Sequence, residues 1–123
     1  MRVLYVDDDR VNGLLFAETC RVAGGVEVET ADTGAEALDL VLGWKPDLLV
    51  IDLNLPDTNG YALLAALRGQ LGAPAIPAYL CTAEDAGAVE EPARQAGFDG
   101  CWPKPVQVQT VLAELARRQV NTA

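Results

Sequence analysis

Most of the residues in this chain that could do chemistry are carboxylates, and they stand where apolar runs end. Asp7, Asp8 and Asp9 follow the run 3–6, Asp52 follows 48–51, Thr82 follows 78–81, and Lys104 comes shortly after 98–102. Neighbouring carboxylates repel one another, which costs stability and raises a pKa unless a cation sits among them. Oxygen donors without imidazole or thiolate select a hard ion, and a coordination sphere shared with phosphate oxygens suits Mg²⁺ better than Ca²⁺. An aspartate can also act as a nucleophile, forming a mixed acyl phosphate. Phosphoryl transfer asks for positioning and charge neutralisation more than covalent help, so one divalent cation and one ammonium are a sufficient apparatus. On these grounds Asp52, which comes from a central strand, is the expected acceptor, and Asp7 and Asp8 the expected metal pair. Lys104 would pair with Asp52 when the acceptor is free and with the phosphoryl group when it is occupied.

Each residue taken singly has an ordinary reading. An aspartate after a strand is commonly a turn or cap residue, and Asp9 is expected to be one. A lone lysine is nearly always a solvated charge, and Thr82 alone is a common strand-end hydroxyl. Their coincidence at the ends of successive strands is what favours metal binding over capping, because binding crevices of doubly wound sheets lie beyond the carboxyl ends of the strands.

That placement depends on the elements. Runs 3–6, 48–51 and 78–81 have few polar interruptions, as strands buried on both faces do, whereas 26–29 alternates like an edge strand. A fifth strand is expected at 98–102, interrupted by Gly100. Helical spacing lies between them: Leu14, Leu15 and Val22; Leu38, Val41 and Leu42; Leu64, Leu67 and Leu71; Val108, Val111, Leu112 and Leu115. Gly24, Gly25, Gly43, Gly72 and Gly97 fall at expected helix ends, and Thr33 at the cap of the second helix. Pro92 lies within the fourth helix at 85–96, which is therefore expected to kink, or to restart with Pro92 in its first turn. The alternation predicts one α/β domain over residues 1–123, a doubly wound, five-stranded parallel sheet with right-handed crossovers and helices on both faces.

Composition sets limits on partners. With 123 residues, half of them apolar, there is room for one core and none for a second catalytic or DNA-binding domain. A formal charge of -9 argues against direct nucleic-acid or membrane binding. No apolar run approaches the roughly 20 residues needed to span a bilayer, and the start has no signal-peptide layout, so a cytoplasmic location is expected. Cys20, Cys81 and Cys101 lack CxxC spacing and are expected to be reduced, mostly buried thiols. The chain has no histidine, so any phosphohistidine must come from outside.

Taken in order, Leu4-Tyr5-Val6-Asp7-Asp8-Asp9, Asp47-Leu48-Leu49-Val50-Ile51-Asp52-Leu53-Asn54-Leu55-Pro56, Asn59-Gly60, Cys81-Thr82-Ala83-Glu84 and Lys104-Pro105 resemble the receiver domain of two-component response regulators over nearly the whole chain. The resemblance implies a flavodoxin-like strand order 2-1-3-4-5 and phosphorylation of Asp52 by the phosphohistidine of a sensor histidine kinase or histidine phosphotransfer protein. It further implies direct Mg²⁺ contacts from Asp8, Asp52 and the Asn54 backbone carbonyl, with Asp7 acting largely through water. Thr82 and Lys104 would each meet a phosphoryl oxygen, the Lys104-Pro105 peptide would be cis, and Asn54 and Glu84 would influence hydrolysis of the acyl phosphate. Such a domain signals to an output domain or effector protein, catalyses its own phosphorylation and dephosphorylation without being a conventional enzyme, and in some cases forms a homodimer.

Two departures bear on output. Receivers usually carry Tyr or Phe three residues before the lysine, where Cys101 stands here, followed by Trp102; Pro92 and Pro103 fall on the same side, so an atypical signalling surface is expected there. Two other readings stay open. One is a pseudo-receiver that binds partners without cycling phosphate, which Cys101 keeps alive. The other is a haloacid dehalogenase-type phosphatase, since Asp7-Asp8-Asp9-Arg10-Val11 fits DxDxV with Asp7 as nucleophile and Asp9 as acid/base, although an acidic pair after the fourth strand and the length for a cap are missing.

Overall fold

Continuous apolar runs become the interior of a parallel sheet. The computed structural model describes residues 1–72, 76–104, 106 and 108–121. It alternates β1 (Arg2–Val6), α1 (Arg10–Ala23), β2 (Glu27–Ala31), α2 (Gly34–Leu40), β3 (Leu48–Asp52), α3 (Gly60–Leu71), β4 (Ala78–Thr82), α4 (Ala86–Ala96), β5 (Gly100–Pro103) and α5 (Val108–Asn121). All pairings are parallel and the order is β2-β1-β3-β4-β5, the flavodoxin-like arrangement expected. β3 and β4 are buried at every position, as strands covered on both faces must be. Edge strand β2 exposes Glu27 and Glu29 and half-buries Val28. Gly100 opens β5 instead of interrupting it, and Phe98 is buried just ahead of the strand.

Alternation along the strands sorts their side chains into two cores. Leu4, Val6, Leu49, Ile51 and Leu80 meet α2, α3 and α4 through Ala37, Leu64, Leu67, Val89 and Ala93. On the other face Val3, Tyr5, Leu48, Val50, Tyr79 and Cys81 meet α1 and α5 through Phe16, Cys20 and Val111. The cysteines are free thiols, and burial pushes Cys20 up to about 11 and raises Cys81 as well, so both stay protonated at neutral pH.

Helix α1 packs through a different face from the one its leucines suggest. Leu14, Leu15 and Val22 are 71%, 61% and 75% exposed, while Gly13, Phe16 and Cys20 are buried. Gly13 lies against the sheet, where a Cβ would make ordinary contact with the Thr30 methyl at 3.5 Å and the Tyr5 ring at 3.9 Å, and Phe16 and Cys20 of the same face join the core. Likewise α2 ends at Leu40 with Val41 as a buried cap, and Leu42 projects into solvent. The α3 stripe lies as expected, with Leu64 and Leu67 buried and Leu71 packed against them. In α5, Val111 is buried and Leu112 half-buried; the side chains of Val108 and Leu115 lie outside the described set.

Caps follow the sequence closely. Thr33 accepts the Glu36 amide at the start of α2, and α1, α3 and α4 stop at Gly24, Gly72 and Gly97. Gly43 instead lies in the turn beyond α2. Helix α4 begins at Ala86, capped by Asp85, and runs on to Ala96 with Pro92 inside it, so it does not restart at the proline. Pro92 withholds the amide that would have reached the Ala88 carbonyl. Pro105, and with it the peptide expected to be cis, lies outside the described residues.

The β3–α3 loop bends back tightly beneath Asp52. The Gly60 amide donates to the Leu53 carbonyl at 2.8 Å, and a Cβ on Gly60 would stand 2.8 Å from both the Asp52 carbonyl oxygen and Leu80 Cδ1. Asp57 ties the same loop to α2 by accepting the amides of Gly34 at 2.9 Å and Ala35 at 3.0 Å. Gly60→Ala is expected to cost about 1–3 kcal/mol through overpacking, read as a lower urea midpoint; an unchanged midpoint would show that the loop yields freely.

Candidate functional site

The chemistry-bearing residues sit where the topology places them, at the carboxyl ends of β1, β3, β4 and β5. β1 connects to β2 on one side and pairs with β3 on the other, so the strand order reverses beside it and opens a crevice. Asp7 is anchored by its amide to the Ala31 carbonyl at 3.0 Å. Asp52 is the last residue of β3. The Lys104 amide donates to the Thr82 carbonyl at 2.9 Å, which extends the β4–β5 pairing by one residue and brings the lysine beside the threonine.

The carboxylates converge. One oxygen from each of Asp7, Asp8 and Asp52 lies within 4.8 Å of the others. Asp7 and Asp52 are only 3% and 5% exposed, whereas Asp8 is open to solvent. Lys104 Nζ reaches Asp52 Oδ2 at 2.9 Å and Asp7 Oδ2 at 3.1 Å. Burial raises the Asp52 carboxyl above the ordinary carboxylate value; the hydrogen bond and charge of Lys104 oppose this, and the Asp7 charge adds to it. Burial draws Lys104 downward, but its bonds to Asp52 and Asp7 prevail and raise it above its ordinary value. Two of the three carboxylates, Asp7 and Asp52, share one ammonium, and all the donor atoms of the cluster are oxygens. This is a donor set that fits a hard divalent cation.

The remaining residues differ in how close they come. Thr82 is buried, and its Oγ1 accepts the Glu84 amide at 3.0 Å. A hydroxyl that accepts in this way still has its own proton to donate. Asn54 is exposed, and its backbone amide helps to hold the Asp52 carboxyl down against burial. Asp9 caps α1 by accepting the Val11 and Asn12 amides at 3.0 and 3.4 Å, which occupies the group that the phosphatase reading needs as acid/base. Cys101 is half-buried and borders a cavity of about 230 Å³ between α4 and β5, together with Glu90, Ala93, Arg94 and Phe98. Trp102 is buried and stacks on Tyr79, with ring centroids 4.5 Å apart.

Two contributors were not anticipated from sequence. The Tyr5 hydroxyl donates to Asp7 Oδ2 at 3.0 Å, and Asn12 Nδ2 approaches the same oxygen at 3.5 Å. The signal for Tyr5 lies in its place on the strand: a buried phenol two residues before Asp7 shares its face and must find a partner.

A family model described as the response regulator receiver domain matches residues 3–116. The response regulator MprA of Mycobacterium tuberculosis is 34% identical over 118 residues, an alignment that covers 94% of this chain and 49% of that protein. MprA of Mycobacterium leprae matches at 34% with the same coverage. The chain therefore spans about half the length of the curated relatives it matches. Among solved structures, the chemotaxis protein CheY4 of Vibrio cholerae superposes with a TM-score of 0.85 at 31% identity, covering 94% of this chain and 96% of that one. The receiver domain of HemR from Leptospira biflexa does so with a TM-score of 0.79 at 30% identity, covering 94% and 91%. Family model, relatives and strand order agree: this chain belongs to the receiver domains of response regulators, the signal-transduction modules of two-component systems.

Proposed function

We propose that residues 1–123 form one receiver domain that takes a phosphoryl group onto Asp52 from the phosphohistidine of a sensor histidine kinase or histidine phosphotransfer protein, in a Mg²⁺-dependent reaction, and that the resulting change of shape is passed to an output domain or effector protein in the cytoplasm. The observation that carries this reading is the approach of Lys104 Nζ to Asp52 Oδ2, 2.9 Å, inside a cluster of three carboxylates. An Asp52 oxygen attacks phosphorus, the P–N bond to the donor imidazole breaks, and an acyl phosphate forms. Thr82 offers its free hydroxyl proton to one phosphoryl oxygen, and Lys104 moves from the carboxylate to another. Asp7, Asp8, Asp52 and the Asn54 backbone carbonyl would hold Mg²⁺, which when bound neutralises charge on the transferred group.

Delivery needs a surface for the donor. Val11, Leu14 and Leu15, exposed on the helix that leaves the pocket, provide an apolar seat beside it. On the output side, Cys101 takes the place of the usual aromatic residue, and its neighbours Glu90 and Arg94 give the α4–β5 face its charge. We place an atypical signalling surface there, able to support a homodimer.

The test is to incubate the protein with acetyl phosphate, with and without millimolar MgCl₂, and to map the phosphoaspartate by borohydride reduction and peptide mass analysis. Metal-dependent label on Asp52 is the expected result. Label on Asp7 would instead support the phosphatase reading, and absence of both label and any response to Mg²⁺ would support the pseudo-receiver.

A further inference from the structure

Asp7 is fixed from both ends. Its Oδ1 accepts the Asp9 amide at 3.0 Å, while Oδ2 accepts both Lys104 and the Tyr5 hydroxyl. The Tyr5 ring cannot drift, because it stacks on Phe16 with centroids 4.6 Å apart and an interplanar angle of 24°, and it is 2% exposed. A buried phenol is a single, stiff donor at the end of a packed ring, and its direction is set by the core and not by solvent. In this place it reaches an acidic cluster whose members repel one another, and it holds a carboxylate that both Lys104 and a cation would compete for.

We propose that Tyr5 is a positioning residue of the acidic site: its hydroxyl, clamped by the Tyr5–Phe16 stack, keeps Asp7 Oδ2 turned toward Lys104, and so presents the carboxylate cluster in the arrangement that receives a divalent cation. The inference rests on the metal-binding reading above and adds to it a residue whose side chain does not belong to the expected ligand set. Outer partners of ligating carboxylates orient them, and their removal typically weakens metal affinity by about 10–100-fold.

The experiment compares wild type, Tyr5→Phe and Tyr79→Phe. Tyr79 belongs to the same core cluster, and its hydroxyl donates to Glu114. Its substitution therefore also removes a buried hydroxyl that accepts no role at the acids. Mg²⁺ affinity is read by calorimetric titration with MgCl₂, and again from the magnesium-dependent rise in melting midpoint, which needs no optical probe near the site. Tyr5→Phe is expected to bind Mg²⁺ about tenfold more weakly, and Tyr79→Phe to bind it as wild type does, even if both variants lose comparable stability in metal-free buffer. Equal Mg²⁺ affinity in Tyr5→Phe and wild type overturns the positioning role while leaving the metal site intact. Equal weakening in both variants also overturns it, since the loss would then follow from core stability alone. A wild-type protein that takes up no Mg²⁺ removes the metal reading itself, and the Tyr5 role with it.

Discussion

Asp52→Asn should take up no label from acetyl phosphate at any magnesium concentration, and its melting midpoint at neutral pH should rise above that of wild type. The first effect follows from chemistry: the side-chain amide has no carboxylate oxygen with which to form an acyl phosphate. The second follows from charge. Burial, with the Asp7 charge adding to it and Lys104 opposing it, raises the Asp52 carboxyl in the folded protein. A carboxyl raised on folding binds its proton more tightly folded than unfolded, so it stabilises the fold at low pH. That contribution is lost as pH rises from the ordinary value of 3.8 through the raised one. Above that window the ionised group works against folding, and the neutral amide removes the conflict, while Lys104 retains Asp7 as a partner at 3.1 Å. Unfolding curves of the two proteins should therefore separate as pH rises above about 4. A variant that still incorporates phosphoryl would move the acceptor elsewhere, and one that is less stable at neutral pH would mean that the Lys104 pair outweighs the burial of Asp52.

The sheet was legible because its signal is double. A strand buried on both faces is apolar at every position, as in residues 48–51, and a short polar edge strand alternates, as β2 does. The strand-end acids were legible for the related reason that a parallel sheet has one functional rim. What failed was the face of α1. Leu14, Leu15 and Val22 are the hydrophobic residues at helical spacing, yet the helix packs through Gly13, Phe16 and Cys20, two of which weigh little on any hydrophobic pattern. Close packing rewards fit as well as apolarity, and the proximity of Thr30 and Tyr5 to Gly13 is a tertiary fact that no local window contains. Pro92 was legible only in part: of the kink and the restart expected there, the restart does not occur, since one helix runs from Ala86 to Ala96 with Val89 and Ala93 packed in the core. Tyr5 shows a third kind of miss, because the information was present. Its identity, its burial and its two-residue offset from Asp7 already demanded a partner for the hydroxyl on that face of β1.

Lys104→Met should be the most destabilising substitution at the site. The change keeps an apolar stem of similar length and deletes the one ammonium shared by Asp7 and Asp52, both of which are almost wholly buried. Removing one partner from a buried charge cluster leaves uncompensated carboxylates and costs about 3–5 kcal/mol, a large share of the roughly 5–15 kcal/mol that holds a domain of this size together. In wild type the lysine is raised on folding because its bonds to Asp52 and Asp7 overcome burial. Its contribution is therefore fully present below the ordinary value of 10.5 and is lost only as pH rises through the raised one, so the penalty of the variant should persist across the neutral range. Two additions should reverse it. Mg²⁺ in excess should restore part of the midpoint by mass action, since it binds the folded site and supplies the missing positive charge. Combining Asp52→Asn with Lys104→Met should restore more than the sum of the single effects allows, because the amide removes the charge that the lysine had balanced. Urea unfolding of the four proteins closes this cycle. A double variant whose stability equals the sum of the two single effects would show that the 2.9 Å contact between Lys104 and Asp52 carries no coupling, and the pair could then no longer be taken as the poised resting state of a phosphoacceptor.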